Sequence, residues 1–198
     1  MGWSSDADPP GWDAMHVHWR QPVPVPGERR NACIAWKDVN VSKITPFLWF
    51  NDNAEQAMTF YCSLFEDSAI QDVTRYGGGS PGEPERAMIV TARIAGQQVR
   101  ALNGGPDHQL SEAFSFVIDC EDQAEVDRYW EALTADGGEP GPCGWLRDRF
   151  GLSWQVIPRA LAELMSDPDP DRAGRVTQAM LRMSKIDVAA LCRAYEGD

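Results

Sequence analysis

The sequence predicts an α+β fold in which one strand–helix–hairpin unit occurs twice and is followed by short helices. An apolar strand pattern runs directly into a helix-capping pattern in two places, at residues 44–56 and 114–125. Sliding the chain by 69 positions places the first region on the second and carries Phe60 onto Tyr129. Helical spacing of apolar residues returns between residues 160 and 195.

The first unit begins with the apolar run at residues 44–50, and Asn53 and Gln56 follow at the spacing of a helix N-terminal cap. The apolar positions of this helix lie three and four residues apart, which places them on one face that must cover a sheet. They are Ala57, Phe60, Tyr61, Leu64 and Phe65. The remaining strands are predicted at residues 70–76, 87–94 and 98–102, with a hairpin turn at Ala95-Gly96.

The second unit repeats this order, with a strand at residues 114–120 and a cap pair at Asp122 and Glu125. Its helix carries an apolar stripe made of Val126, Tyr129, Trp130 and Leu133. A closing hairpin is predicted from residues 144–149 and 152–157, with its turn at Phe150-Gly151. Beyond it, helices are predicted at residues 160–165, 171–183 and 185–195.

Composition excludes several classes of function. The chain of 198 residues is long enough for one buried core with extensions, and its 30 acidic against 18 basic residues give a formal charge of -12. This charge repels nucleic acid and anionic lipid, so we expect neither as a partner. No apolar run approaches the ~20 residues of a membrane span. The five cysteines form no C-x-x-C pair, which indicates reduced thiols in a cytoplasmic protein.

Three regions are predicted along the chain. Residues 1–42 are a Pro/Trp-rich irregular N-terminal extension, in which His16 and His18 are expected to be solvated rather than metal-bound. Residues 43–160 form the main domain, with one module at residues 43–105 and the other at residues 112–158. Residues 161–198 form a C-terminal helical extension.

Four segments carry a family resemblance, and they occur in the same order as in that family. The segments are Ile44 to Phe50, Ala101 to Pro106, Cys143 to Leu146 and Gly151 to Pro158. From Lys43 to about Ala190 the chain resembles the PhnB-like group of the vicinal-oxygen-chelate superfamily of glyoxalases, ring-cleaving dioxygenases and bleomycin-resistance proteins. That group is often labelled 3-demethylubiquinone-9 3-methyltransferase. The resemblance implies two βαβββ modules that curve into an incomplete barrel, the glyoxalase/bleomycin-resistance fold.

In metal-using members of the superfamily, one side chain from the first strand and one from the last strand of each module hold the ion. Aligned on the helices, these positions fall on Pro46, Ala101, Ser115 and Gln155. The positions next to them hold no His, Asp, Glu or Cys, which are the ligands that divalent ions prefer. His108, beside Asp107, is expected to be solvated. We therefore predict no metal and no cofactor.

Strand alternation predicts the residues that line a ligand cavity. The predicted ligand-binding residues are Leu48, Trp49, Phe50, Asn103, Ser115, Val117, Trp145 and Gln155. If the register slips by one residue, Phe47, Trp49, Trp154 and Arg100 face the cavity instead. The tryptophans also fit a purely packing role, and Asn103-Gly104-Gly105 also fits a simple turn. No catalytic residue is assigned.

The predicted function is a metal-independent, homodimeric protein that binds a small organic ligand, with no defined activity. One alternative is an enzyme of the methyltransferase-labelled family that acts on a quinone-like aromatic. It lacks sequence support, because Gly77-Gly78-Gly79 is not followed by the helix that the usual S-adenosylmethionine-binding turn requires. The other alternative is a metal-dependent lyase or dioxygenase whose ligands the alignment misplaces.

Overall fold

A computed structural model describes residues 43–77 and 85–198. These residues belong to one compact unit, Ser42–Asp198. The predicted N-terminal extension, including His16 and His18, lies outside the described residues, as does most of the glycine-rich segment after Tyr76.

The first module has the order strand, helix and three strands. It consists of β1 (Phe47–Phe50), α1 (Ala54–Leu64), β2 (Ala69–Arg75), β3 (Ala87–Ile94) and β4 (Gln97–Asn103). The strands form a sheet in the order β1-β4-β3-β2, in which β1 pairs parallel with β4 and the other pairs are antiparallel. The predicted hairpin turn is confirmed, because Ala95 and Gly96 both have positive φ angles, 46° and 79°.

The second module repeats this topology. It consists of β5 (Ser115–Cys120), α2 (Gln123–Thr134), β6 (Glu139–Pro140), β7 (Trp145–Arg147) and β8 (Ser153–Pro158). The sheet order is β5-β8-β7-β6, and β5 pairs parallel with β8. The sequence analysis did not find β6, whose two residues are too few to show an alternating pattern.

The predicted α+β class and the duplicated βαβββ modules are confirmed. Across the part of the chain that the structure describes, the two sheets are separate four-stranded units and no closed barrel forms.

The two helices begin with different caps. At α2 the prediction is confirmed, because the Asp122 carboxylate accepts a hydrogen bond from the Glu125 amide at 2.9 Å. At α1 the predicted cap is wrong, because the Asn53 side chain makes no cap hydrogen bond. Asn103, at the end of β4, takes this role instead, and its Oδ1 accepts from the Ala54 amide at 2.8 Å.

Each sheet has a covered face, which packs on its own helix, and an open face on the other side. In the first sheet Leu48 is 2% exposed beneath α1, whereas its neighbour Phe47 is 52% exposed. In the second sheet Ile118 is 8% exposed beneath α2, whereas its neighbour Val117 is 54% exposed. This alternation defines the two open faces.

The strand register predicted for the first module is wrong by one residue. Three residues, 51–53, connect β1 to α1, whereas two residues, 121–122, connect β5 to α2. The offset of 69 therefore holds for the helices but becomes 70 in the strands, where Leu48 corresponds to Ile118. Phe47, Trp49 and Arg100 lie on the open face of the first sheet, as the register shifted by one residue predicts. Trp154 instead lies on the covered face of its sheet, where it is 2% exposed.

The modules share one apolar core at the joint between them. The Phe65 ring stacks on Tyr129, with ring centroids 5.0 Å apart, and on Trp154 at 5.8 Å. Tyr61, from α1, contacts Trp154, with ring centroids 5.2 Å apart. Helix α1 of the first module is therefore packed directly against the second module.

The C-terminal helices form a smaller core of their own. They are α3 (Arg159–Met165), α4 (Pro170–Met180) and α5 (Val188–Glu196), so all three predicted helices exist, with shifted bounds. Leu161, Val176, Ile186 and Leu191 are buried between them. The amides of Cys143 and Gly144 each donate a hydrogen bond at 2.8 Å to the carbonyls of Met183 and Ser184, which attaches this unit to the turn before β7. Within residues 43–77 and 85–198, no helix combines the length and the apolar character needed to cross a bilayer.

Candidate ligand-binding faces

The eight predicted ligand-binding residues divide between the two kinds of face. Five have side chains on the open faces: Trp49, Ser115, Val117, Trp145 and Gln155. The other three, Leu48, Phe50 and Asn103, lie on the covered face of the first sheet and are 2–3% exposed. For these three the predicted position in a cavity is corrected, because the register slip places them under α1. Ligand contact by the other five stays a prediction.

Asn103 is fully occupied by bonds within the protein. Its Oδ1 accepts from the Ala54 amide at 2.8 Å, and its Nδ2 donates to the Ala87 carbonyl at 2.9 Å. The residue therefore joins the start of α1 to the start of β3. Its role is to satisfy buried backbone groups rather than to face a ligand.

Trp49 is held firmly on the open face of the first sheet. Its Nε1 donates to the Gly105 carbonyl at 2.9 Å, and the His108 ring meets the indole edge-on, with centroids 4.7 Å apart. Gly104 lies against the indole so closely that a Cβ atom there would be 2.2 Å from the ring. The packing interpretation therefore holds for Trp49, although the indole still borders the open face. Asn103-Gly104-Gly105 is not a simple turn, because the amides of Gly104 and Gly105 donate to the carbonyls of Phe50 and Asn51.

The open face of the second sheet has a polar centre with apolar neighbours. Gln155 Nε2 donates to Ser115 Oγ at 2.9 Å. Trp145 is the strand partner of Gln155, and Val117 pairs with it from the other side, so the three side chains share this face. A groove of about 580 Å³ runs beside them and is lined in part by Trp145 and Ser153.

The positions that hold metal in the superfamily change with the corrected register. In the first module they become Thr45 and Arg100, the counterparts of Ser115 and Gln155. Two hydroxyls, one amide and a guanidinium do not fit a divalent metal, since the guanidinium is a cation and supplies no lone pair. Among the described residues, no group of three or more His, Cys, Asp or Glu is placed to hold a metal ion.

The sequence analysis missed a buried carboxylate, Asp148, which is 3% exposed. Its Oδ2 accepts from Tyr61 Oη at 2.7 Å and from Trp154 Nε1 at 2.8 Å, and its Oδ1 accepts from the amides of Phe150 and Leu152 at 2.8 and 3.0 Å. Burial, followed by the charge of Asp148, raises the pKa of the Tyr61 phenol well above its ordinary value. In the sequence, Asp148 before Phe150-Gly151 indicates a turn. No local pattern indicates its contact with Tyr61 of α1, which lies 87 residues earlier in the chain.

A cavity of about 490 Å³ lies at the joint between the modules, and Val117 of the second open face lies at its border. Aromatic residues form its floor, among them Phe65, Tyr129 and Trp154. Asp119 and Glu121 lie at its rim, where Glu121 is paired with Arg159 at 3.2 Å. This cavity is an alternative binding site for a small molecule, in place of the open faces.

Comparison with known proteins shows the family. The family model described as 3-demethylubiquinone-9 3-methyltransferase matches residues 42–157. The chain belongs to this family. The predicted resemblance is thereby confirmed, and the match ends just before α3, so the three C-terminal helices lie outside it.

The chain is also similar to several solved structures. The PhnB protein from Bacillus cereus, which bears the same methyltransferase name, is 32% identical and covers 59% of this chain and 99% of its own, with a TM-score of 0.53. Protein PA1353 from Pseudomonas aeruginosa is 22% identical over 60% of this chain and 98% of its own, with a TM-score of 0.50, and shares the fold. A glyoxalase/bleomycin resistance protein from Albidiferax ferrireducens is 17% identical, with 60% of this chain and 99% of its own covered and a TM-score of 0.40. No curated protein matches the chain.

Proposed function

We propose that this family member binds a small organic molecule on its open faces, without a metal. The observation that carries the proposal is the composition of those faces. Each exposes a large apolar side chain, Phe47 at 52% and Val117 at 54%, next to fixed polar groups such as the Ser115–Gln155 pair. An apolar surface with a few placed polar groups is the usual composition of a small-molecule site.

The chemistry of the open faces favours binding over turnover. Gln155 is a neutral amide and cannot act as a general base. Asp119, at the end of β5, is a carboxylate exposed to solvent rather than enclosed in a site. The methyltransferase name of the family therefore finds no supporting group at this position in the described residues.

A second copy of the chain completes the site in this proposal. Strands β1 and β5 each lie at one edge of their sheet, so the outer edge of each lacks a strand partner among the described residues. Free edges next to exposed apolar side chains favour association. In a homodimer the first open face of one copy lies opposite the second open face of the other. Sedimentation velocity is expected to give twice the chain mass of 22.0 kDa, and a monomer at micromolar concentration would refute the dimer.

The proposed site is tested with a neutral aromatic dye, N-phenyl-1-naphthylamine, whose fluorescence rises in apolar surroundings. We expect saturable binding that weakens about tenfold in Phe47→Gln, because the dye loses apolar contact and must meet an amide. Leu181→Gln is the matched control, since Leu181 is 55% exposed on the C-terminal unit, compared with 52% for Phe47. Equal binding by both variants, or no saturable binding by the unmodified protein, would contradict the proposal.

The proposed location is the cytoplasm. Cys62, Cys120, Cys143 and Cys192 are free thiols in the structure, which suits a reducing compartment. The formal charge of -12 argues against partners that are polyanions, such as nucleic acid or an anionic membrane.

A further inference from the structure

Arg100 is a cation on the open face of the first sheet. Within the described residues it forms no ion pair or side-chain hydrogen bond, and its side chain is exposed. The other arginines on the open faces are neutralised, since Arg93 pairs with Asp67 at 2.6 Å and Arg147 pairs with Glu139 at 2.6 Å. In a chain with 30 acidic residues, an unpaired arginine at this position requires an explanation.

Arg100 has apolar neighbours towards β1, whereas its partner on β3 is the polar Thr91. Phe47 is its partner on β1, and Trp49 and Leu102 lie on the same face one step further along their strands. A guanidinium presents a planar fork of N–H donors that matches the two oxygens of a carboxylate or sulfonate. Apolar neighbours lower the local dielectric and strengthen that contact once a ligand excludes water.

The two modules differ at this point of the fold. The position that corresponds to Arg100 in the second sheet is Gln155, whose amide is already bonded to Ser115. At this position the second open face therefore supplies a neutral amide, whereas the first supplies a positive charge that no described residue pairs with.

We infer that the ligand of the proposed site is an organic anion with an apolar body, and that Arg100 binds its oxyanion group. The inference rests on the proposed function, because it names the chemical class of molecule that the open faces hold. Phe47 and Trp49 contact the apolar body in this arrangement.

The test uses two dyes that differ by one anionic group. 1-Anilinonaphthalene-8-sulfonate carries a sulfonate, and N-phenyl-1-naphthylamine is the same ring system without it. We expect Arg100→Gln to weaken sulfonate binding about tenfold and to leave binding of the neutral dye within about twofold. Arg93→Gln is the matched control on the same sheet face and is expected to change neither dissociation constant, since Asp67 already neutralises Arg93.

The outcomes separate the inference from the proposed function. Saturable binding of the neutral dye together with no effect of Arg100→Gln on the sulfonate would overturn the inference and leave the proposed function standing. Saturation by neither dye would overturn the proposed function and the inference with it. If Arg100→Gln and Asp119→Asn both dissociate a dimer, Arg100 pairs with a carboxylate of the second copy, and the inference is wrong.

Discussion

At the scale of single residues, Trp49 and Gly104 form one packing unit at the end of β4. The indole occupies the space in which a side chain at position 104 would lie, and its N–H is bonded to the next residue, Gly105, at 2.9 Å. Glycine at position 104 thus follows from close approach rather than from backbone conformation, since its φ angle is not positive.

Gly104→Ala is expected to lower the free energy of unfolding by about 1–3 kcal/mol, because the added methyl group overlaps a ring that cannot move freely. Gly174→Ala is the control. Gly174 lies within α4 with nothing within 4 Å of its would-be Cβ, so the change is expected to raise stability by about 0.5–1 kcal/mol. Urea unfolding monitored by tryptophan fluorescence measures both changes, and a gain for Gly104→Ala would show that Trp49 is loosely held.

Tyr61 gives the protein a dependence on alkaline pH. Its pKa is raised in the folded state above the ordinary 10.0, so the stability from the buried neutral phenol is complete below pH 10 and is lost as the pH rises further. The expected loss is up to about 1.4 kcal/mol per pH unit. In Tyr61→Phe this part of the slope is expected to disappear.

Tyr61→Phe is also expected to lower stability at neutral pH by about 1–3 kcal/mol, because Asp148 loses one of its donors. Urea unfolding of both proteins between pH 8 and pH 11 gives the comparison. Cys120, whose pKa burial raises to about 12, is present in both proteins and cancels. Parallel curves for the two proteins would contradict the role assigned to the Tyr61–Asp148 bond.

At the scale of elements, the existence of the strands and helices follows from local patterns, but the register of β1 does not. One extra residue in the loop before α1 moves every β1 side chain to the opposite face relative to an alignment fixed on the helices. An alignment of the two modules on their helices does not reveal this difference in loop length, because the cap pattern at the start of each helix is unchanged. Three of the eight predicted site residues were placed on the wrong face for this reason.

The cap of α1 was missed for a related reason. Asn103 lies 49 residues beyond the helix start that it caps, so no local sequence pattern could reveal it, whereas Asp122 caps α2 from the adjacent position and was found. Long-range polar contacts of this kind become predictable only once the sheet register is known.

Asn103→Ala is expected to lower the free energy of unfolding by about 2–4 kcal/mol, because the Ala54 amide and the Ala87 carbonyl both lose a buried partner. Asp122→Ala, at an exposed cap, is expected to cost about 1 kcal/mol. Thermal or urea unfolding measures the difference. A small cost for Asn103→Ala together with loss of dye binding would instead indicate that Asn103 contacts the ligand.

At the scale of the whole molecule, the duplicated fold and the family were accessible from the sequence because two modules share one strand–helix pattern. The joint between the modules was not, since it depends on Asp148, Tyr61 and Trp154 meeting across the chain. This joint fixes α1 against the second module and leaves both open faces uncovered by helices of the described βαβββ modules.

The central claim is that a small molecule binds on the open faces rather than in the cavity at the module joint. Nitrogen–proton correlation spectra of the tryptophan indoles test it directly, with peaks assigned by single Trp→Phe variants and N-phenyl-1-naphthylamine added to saturation. We expect the peaks of Trp49 and Trp145, on the open faces, to shift, and those of Trp130 and Trp154, on the covered side, to stay in place. A shift of Trp154, which lines the cavity between the modules, with unchanged Trp49 and Trp145 would place the ligand in that cavity and contradict the claim.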